Sequence, residues 1–144
     1  MNKVVVASHH RGRFIKKSVI DFLDKNKSWY EDLSPENHAE DDYVDYASKV
    51  TEVVVKGKSF GVLICGTGIG MSIAANKHKG IRAALCRTPL DAELSRKHND
   101  ANILVLSSKT PKDVLGRIIK KFLVTKFERG RHLRRVNKIK DLEK

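Results

Sequence analysis

The chain has 144 residues, of which 40% are hydrophobic and 32% are charged, and its formal net charge is +12. This length and composition predict one globular domain, residues 1–144, built around a single hydrophobic core. The sequence contains no apolar run of about 18 residues and no secretion-signal pattern, so we expect neither a membrane-spanning helix nor export.

Short apolar runs alternate with amphipathic helical repeats along the whole chain. In chain order, the pattern predicts a strand at 3–7, a helix at 14–23, a strand at 27–33, a helix at 43–56, a strand at 60–64, a helix at 69–77, a strand at 80–86, a helix at 89–97, a strand at 102–106, and helices at 110–123 and 131–142. Strands that alternate with helices in this way form a parallel sheet with helices on both faces. We therefore predict an α/β domain with a five-stranded parallel sheet and a basic helix at its carboxyl end.

The excess of positive charge is concentrated after Lys109, and a basic surface of this kind can bind nucleic acid. The sequence has no zinc-finger spacing, no helix-turn-helix pattern and no basic sheet motif interleaved with aromatic residues. The alternative is a generally basic composition in which a few arginines bind a phosphorylated substrate. We therefore expect no nucleic-acid partner as the main function.

Cys65 and Cys86 are the two cysteines, and both lie in apolar, strand-like runs. This placement does not indicate a disulfide framework, and it fits a reducing cytoplasm. Neither cysteine has a companion at the spacing of metal ligands, so the sequence predicts no zinc site.

The most informative stretch lies between the predicted strand at 60–64 and the helix at 69–77. Gly66, Gly68 and Gly70 let the backbone turn sharply and approach a ligand closely. The amide groups at the start of the following helix favour an anion. Cys65, Thr67 and Ser72 bring a thiol and two hydroxyls to the same place. The combination predicts a small-molecule site.

A less specific interpretation of the same stretch stays open. The glycine spacing is neither that of the dinucleotide fingerprint nor that of a phosphate loop that ends in Gly-Lys-Ser/Thr. A lone cysteine at a strand end is usually inert packing. The position at the carboxyl end of a parallel strand favours the ligand site, because open α/β sheets bind ligands there.

Other polar residues are predicted to collect at the same edge of the sheet. His9 and His10 follow the first strand, and the residues after Leu106 follow the fifth. Asp42 and Tyr43 could contact a sugar, or could cap and pack the second helix.

Three further residues have both a functional and an ordinary interpretation. His98 lies at a helix end, where a histidine often only complements the helix dipole. Arg131 and Arg135 are four residues apart and share one helix face, so they can clasp a phosphate together. The commoner explanation of such a face is a solvated basic helix.

Five segments follow one another in a recognisable pattern that covers almost the entire chain: Asp42–Ala47, Ile64–Lys77, Gly80–Ala83, Leu94–Asn102 and Gly130–Val136. Together they resemble the ribose-5-phosphate isomerase B family, which also includes the galactose-6-phosphate isomerase subunits. The resemblance implies a Rossmann-like, three-layer α/β subunit and no metal or organic cofactor. It also implies a homodimer, or a dimer of dimers, whose active sites are shared between subunits.

The reaction that the resemblance implies is the interconversion of ribose 5-phosphate and ribulose 5-phosphate through a cis-enediolate. Cys65 would be the base that moves a proton between C1 and C2. A thiol at a helix N-terminus ionises readily enough for such a role near neutral pH. Thr67 would help to move the hydroxyl proton, and the amides of the turn from Gly66 to Gly70 would hold the oxygen charge.

The resemblance also assigns the remaining site residues. His98 would open the furanose ring, and Asn99 would bind a sugar hydroxyl. His10, Arg131 and Arg135 would clamp the phosphate, with the arginines contributed by the partner subunit. The full set of expected substrate-binding residues is His9, His10, Tyr43, Gly66, Gly68, Gly70, Ser72, Asn99, Lys109, Arg131 and Arg135.

Two positions depart from the family pattern. His9 stands where the family normally has an aspartate that handles a sugar hydroxyl or assists ring opening, and imidazole supplies no fixed negative charge. Lys109 stands where the family usually has arginine, which keeps the charge and loses the bidentate fork. The alternatives are therefore a six-carbon substrate, such as allose 6-phosphate or galactose 6-phosphate, or a catalytically impaired relative that still binds sugar phosphates.

Overall fold

The computed structural model describes residues 3–38 and 40–143 and has an α/β fold. Its strands are β1 Lys3–Ser8, β2 Tyr30–Asp32, β3 Ser59–Cys65, β4 Ala83–Leu85 and β5 Ile103–Ser107. Its helices are α1 Arg13–Lys25, α2 Tyr43–Val54, α3 Ile69–Asn76, α4 Pro89–Asn99, α5 Lys112–Val124 and α6 Gly130–Asp141. A short 3₁₀ helix, His10–Gly12, joins β1 to α1. The predicted fold class, including the carboxyl-terminal basic helix, is confirmed.

The five strands form one parallel sheet in the order β2-β1-β3-β5-β4. The chain leaves β1 toward one side of the sheet, to β2, and then returns past β1 to form β3 on the other side. This reversal opens a crevice at the carboxyl ends of β1 and β3, which is where open α/β sheets bind ligands. We call this end of the sheet the carboxyl edge and the opposite end the amino edge.

Helices cover both faces of the sheet, which gives the predicted three layers. Alternate residues of β1 point to opposite faces, so Val4 and Val6 belong to one hydrophobic cluster and Val5 and Ala7 to the other. The first cluster contains buried side chains of α1, α4 and α5, among them Phe122. The second contains side chains of α2 and α3. Helices α1 to α5 therefore each bury one apolar stripe against the sheet.

The two outer strands are shorter than the sequence predicts. The strand predicted at 27–33 is reduced to β2, and the one predicted at 80–86 is reduced to β4. Each has a strand neighbour on one side only, so side chains complete part of the hydrogen bonding. The side-chain carboxamide of Asn76 bonds the backbone of Ala83 twice: Nδ2 donates to Ala83 O at 2.9 Å, and Oδ1 accepts from Ala83 N–H at 2.8 Å. Asn102 Oδ1 accepts from Arg82 N–H at 2.8 Å. Apolar composition alone does not reveal these side-chain partners.

Helix α6 lies along the amino edge of the sheet, beside α4. Near its start, Glu128 N–H donates to Lys97 O at 3.1 Å. Beyond its end, Glu143 Oε1 accepts from Gly80 N–H at 2.9 Å. Among the described residues, no helix is both long and apolar enough to cross a bilayer.

Candidate active site

Cys65 is the last residue of β3 and is buried, with 5% of its surface exposed. The Gly68 N–H group donates to its Sγ atom at 3.2 Å. Gly68 has φ of +81°, and a Cβ atom there would lie 2.5 Å from Leu85 Cδ1. The N–H group of the next residue, Ile69, donates to Thr67 Oγ1 at 3.1 Å. The turn therefore wraps backbone donors around a thiol and a hydroxyl.

Two serines at the end of β5 hold this turn in place. Ser107 Oγ and Ser108 Oγ donate to Gly66 O at 2.9 and 3.0 Å, and Ser108 N–H donates to Cys65 O at 2.9 Å. Because the carbonyl groups of Cys65 and Gly66 are hydrogen-bonded to the end of β5, the backbone of the turn cannot rotate freely. The sequence pointed only generally to residues after Leu106. Two adjacent hydroxyls directly after a buried strand are the signal that identifies them.

His9 and His10 reach the same edge because β1 pairs in parallel with β3, with Ser8 opposite Ile64. His9 N–H donates to Ile64 O at 2.9 Å. The His9 Nε2 atom lies 3.0 Å from Asp41 O. Because a carbonyl oxygen only accepts, His9 Nε2 carries the hydrogen of this bond, and Nδ1 is the acceptor atom of the neutral ring.

His10 packs against His9, with ring centroids 3.9 Å apart. Burial lowers the pKa of His10, and the neighbouring His9, Arg11 and Arg13 lower it further. Its Nδ1 atom is buried and has no hydrogen-bond partner within residues 3–38 and 40–143. The ring is therefore uncharged near neutral pH and has an unused polar atom.

Tyr43 begins α2 and lies against the first turn of α3. A Cβ atom at Gly70 would lie 2.7 Å from Tyr43 Cζ, so glycine is what allows the ring this close. Ser72 is in the same helix, one turn after Gly68, and is half-buried. The predicted residues Tyr43, Gly70 and Ser72 are thus brought together beside the Cys65 turn.

Two cavities flank the turn, and both carry positive charge. One, of about 410 Å³, is lined by Thr67, Ile69, Arg87, Ser107 and Lys109, among others. The other, of about 280 Å³, is lined by His10, Arg11, Arg13, Phe14, Asn37 and His38. The cations suit an anionic ligand at the carboxyl edge.

The remaining predicted residues lie at the amino edge. His98 is near the end of α4, and its ring stacks on that of His132 with centroids 4.2 Å apart. Asn99 O accepts from Arg82 Nε at 3.0 Å, immediately before β4 begins. Arg131 and Arg135 are exposed on α6. Burial, with the nearby charges of His98 and Arg131, lowers the pKa of His132.

A single protomer therefore does not bring the whole predicted set together. Helix α4 starts at the carboxyl edge and has 11 residues, so its end lies about 16 Å away at the amino edge. Cys65 and His98 consequently lie at opposite edges of the same sheet. The set divides into two half-sites, one at each edge.

Comparisons with known proteins identify the family of the chain. A family model described as Ribose/Galactose Isomerase matches residues 4–139. The chain belongs to this family. It is 39% identical to ribose-5-phosphate isomerase B of Escherichia coli strain K12, over 99% of this chain and 97% of the relative. It is 44% identical to a putative sugar phosphate isomerase of Bacillus subtilis, over 98% and 97% of the two chains.

Solved structures of the family superpose closely on this one. The ribose 5-phosphate isomerase of Thermotoga maritima has a TM-score of 0.93 at 43% identity, covering 97% of this chain and 98% of that one. The enzyme of Mycoplasma genitalium with bound ribulose 5-phosphate has a TM-score of 0.92 at 41% identity, covering 98% and 95%. The resemblance found in the sequence is confirmed, and the chain is an aldose–ketose isomerase of sugar phosphates.

The sequence alone did not identify two cations that lie near the turn. Arg11 follows the His9-His10 pair, and its Cδ atom would lie 3.7 Å from a Cβ atom at Gly66. Arg87 follows β4 and lines the cavity that also contains Lys109. Arg87 follows the strand predicted at 80–86 directly, and Arg11 lies in the turn after the strand predicted at 3–7, so a cation at a strand end is the signal that could have identified them.

Proposed function

We propose that this isomerase interconverts ribose 5-phosphate and ribulose 5-phosphate through a cis-enediolate, with Cys65 as the base. The observation that carries the proposal is the Gly68 N–H bond to Cys65 Sγ, 3.2 Å long, at the crevice between β1 and β3. The reaction class is supported by the name of the Escherichia coli relative and by the ribulose 5-phosphate bound to the Mycoplasma genitalium enzyme.

The chemistry at the turn follows from its donors. The thiolate is the basic form of cysteine, and a sulfur anion requires a hydrogen-bond donor such as Gly68 N–H. The sulfur takes a proton from one of C1 and C2 and returns it to the other, while Thr67 Oγ1 transfers the hydroxyl proton. The amide of Gly68 is occupied by Cys65 Sγ and that of Ile69 by Thr67 Oγ1. The other amides of the turn therefore stabilise the enediolate oxygen.

Both half-sites contribute residues to each end of the substrate, the phosphate and the sugar. His10 and Lys109 lie at the carboxyl edge, and Arg131 and Arg135 of a second copy complete the phosphate clamp. His98 of that copy opens the furanose ring, and its neighbour Asn99 binds a sugar hydroxyl. Tyr43, Ser72 and the glycines of the turn, Gly66, Gly68 and Gly70, line the rest of the pocket.

A homodimer is the assembly that joins the two half-sites. A two-fold axis perpendicular to the strands reverses their direction, so it places the amino edge of one protomer beside the carboxyl edge of the other. Outer strand β4 is flanked by α3 and α4, which expose Ile69, Ile73, Leu90 and Leu94. Apolar residues at this spacing on two neighbouring helices suit burial against a second copy. We place this dimer in the cytoplasm, in keeping with two free, buried cysteines.

The test is turnover of ribose 5-phosphate in a coupled assay. We expect Cys65→Ala to lower kcat at least about a hundredfold while inorganic phosphate still binds. Cys86→Ala is the matched control, because burial raises the pKa of Cys86 to about 12 and that thiol cannot act as a base at neutral pH. Full turnover by Cys65→Ala would remove Cys65 from the mechanism.

A second candidate function follows from His9. If His9 Nδ1 accepts a hydrogen bond from a sugar hydroxyl, as a carboxylate would, we expect substantial wild-type turnover. His9→Asp should then change that turnover little. An inactive wild type that His9→Asp activates would instead identify an impaired relative. Rates on ribose 5-phosphate, allose 6-phosphate and galactose 6-phosphate decide the length of the sugar, because the pocket disfavours the wrong one.

A further inference from the structure

A cluster of three potential metal ligands lies at the amino edge, away from Cys65. It consists of His98, Glu128 and His132, and we call it the His-Glu-His cluster. One ligand atom from each residue lies within 4.8 Å of the other two. The His98 Nε2 and Glu128 Oε1 atoms are 3.9 Å apart, and the two imidazole planes are nearly parallel, at 14°.

We propose that the His-Glu-His cluster binds one transition-metal ion, Zn²⁺ or Ni²⁺, and that the bound ion inhibits the isomerase by occupying His98. The binding step depends only on the cluster. The inhibition step rests on the proposed function, in which His98 opens the sugar ring.

The backbone around the cluster is anchored, so its ligands are held near one another. Glu128 N–H bonds the carbonyl of Lys97, the residue before His98, at 3.1 Å. His132 N–H bonds Arg129 O at 2.9 Å, and the His132 ring is 7% exposed. Ligand atoms of a tetrahedral zinc ion lie about 3.4 Å apart, given bonds of about 2.1 Å. An imidazole nitrogen binds a metal in the plane of its ring, so the partly exposed His98 ring must turn out of the stack on His132. Rotation of the exposed Glu128 side chain then brings the third ligand to the ion.

The charges around the cluster select the kind of metal. Arg131 and Arg135 belong to the same helix as His132 and repel any cation. Mg²⁺ and Ca²⁺ bind mainly through charged and neutral oxygen ligands and so have little to offset this repulsion. Zn²⁺ and Ni²⁺ form strong bonds to imidazole nitrogen, and the cluster offers two imidazoles.

Binding is tested by calorimetric titration of the metal-free full chain with Zn²⁺, Ni²⁺ and Mg²⁺. We expect one Zn²⁺ or Ni²⁺ per chain and no Mg²⁺, with affinity at least about tenfold lower in Glu128→Gln and in His132→Asn. Glu128→Gln changes an exposed side chain and so keeps the fold even if His132→Asn does not. His78→Asn and Cys65→Ser are the controls and should bind as wild type does. Absent binding, or binding that survives Glu128→Gln unchanged, would overturn the proposal.

Inhibition is tested separately, with each variant's rate compared with its own metal-free rate. We expect Zn²⁺ to inhibit wild type reversibly, with EDTA restoring turnover, and Glu128→Gln to need at least about tenfold more Zn²⁺. Binding without inhibition would overturn the second half of the proposal. If no form turns over sugar phosphate, the proposed function fails, and the calorimetric titration still decides whether the metal site exists.

Discussion

At Gly68, the backbone rather than a side chain determines whether the site can form. Its φ of +81° is a conformation that side chains with a Cβ atom rarely adopt, and its N–H group is the donor to Cys65 Sγ. Any substitution there therefore acts on stability and on the cysteine at once. Gly57 has a similar φ of +86° but has no atom within 4 Å of where a Cβ would stand.

We expect Gly57→Ala to lower the free energy of unfolding by about 1–2 kcal/mol, the strain of the left-handed backbone alone. Gly68→Ala should cost at least about 1 kcal/mol more, because its Cβ would lie 2.5 Å from Leu85 Cδ1 and also 3.3 Å from the backbone oxygen of Leu106. Since the clash also displaces the donor to Cys65, Gly68→Ala should lose turnover while Gly57→Ala keeps it. Urea unfolding and the coupled assay measure the two effects. Equal stability and full turnover in both variants would contradict this account.

Residues that are close in sequence were predictable, whereas partners that meet through the fold were not. Cys65, Thr67 and the three glycines are consecutive or nearly so, so their chemistry is visible without a structure. The position of His132 between Arg131 and Arg134 fits either an anion contact or a plain surface residue. Its stacking on His98 depends on how α6 returns to α4, and no local pattern encodes that path.

At the scale of elements, the end of α4 is fixed by one buried arginine. Arg96 is 8% exposed, and its guanidinium donates to Asp100 Oδ1 and Ala101 O and, through Nε, to Thr125 O at 3.2 Å. The same group lies 4.8 Å from the centre of the Phe60 ring. It therefore joins α4, the start of β5 and the segment after α5.

We expect Arg96→Lys to lower the free energy of unfolding by about 2 kcal/mol or more, because an ammonium cannot serve these acceptors and the ring together. Turnover should fall as well, since His98 and Asn99 lie two and three residues after Arg96 in the same helix. Arg117→Lys, on the exposed side of α5, is the control and should stay within about 0.5 kcal/mol of wild type. Thermal or urea unfolding of both variants tests the expectation, and equal losses would contradict it.

The alternation of strands and helices was predictable because each element carries its own periodicity. Val114, Leu115 and Ile118 predict α5 by their spacing, and the apolar run before Cys65 predicts β3. The strand order was not predictable in this way, because β5 enters the sheet between β3 and β4 through long-range pairing. The shortness of β2 and β4 follows from their outer positions, which are a property of that order.

At the scale of the whole molecule, the division of the predicted site residues between two edges is the feature with the widest consequence. Each chain has Cys65 at one edge of the sheet and Arg131 at the other, and the two edges are separated by the length of α4. If the proposed dimer is correct, every active site takes one half-site from each subunit. Two variants that are inactive for different reasons can then complement one another.

We therefore expect Cys65→Ala and Arg131→Ala to be inactive alone and to regain activity when unfolded together and refolded as a mixture. Random pairing makes about half of the dimers mixed, and each mixed dimer has one intact site of two, so the mixture should reach about a quarter of wild-type activity. A mixture of Cys65→Ala with Cys65→Ser is the control and should stay inactive, because every site lacks the thiol. An Arg131→Ala variant that is fully active alone would show that this arginine does not belong to the clamp. If both variants are inactive and their mixture stays inactive while dimers form, each site lies within one chain, and the half-site arrangement is wrong.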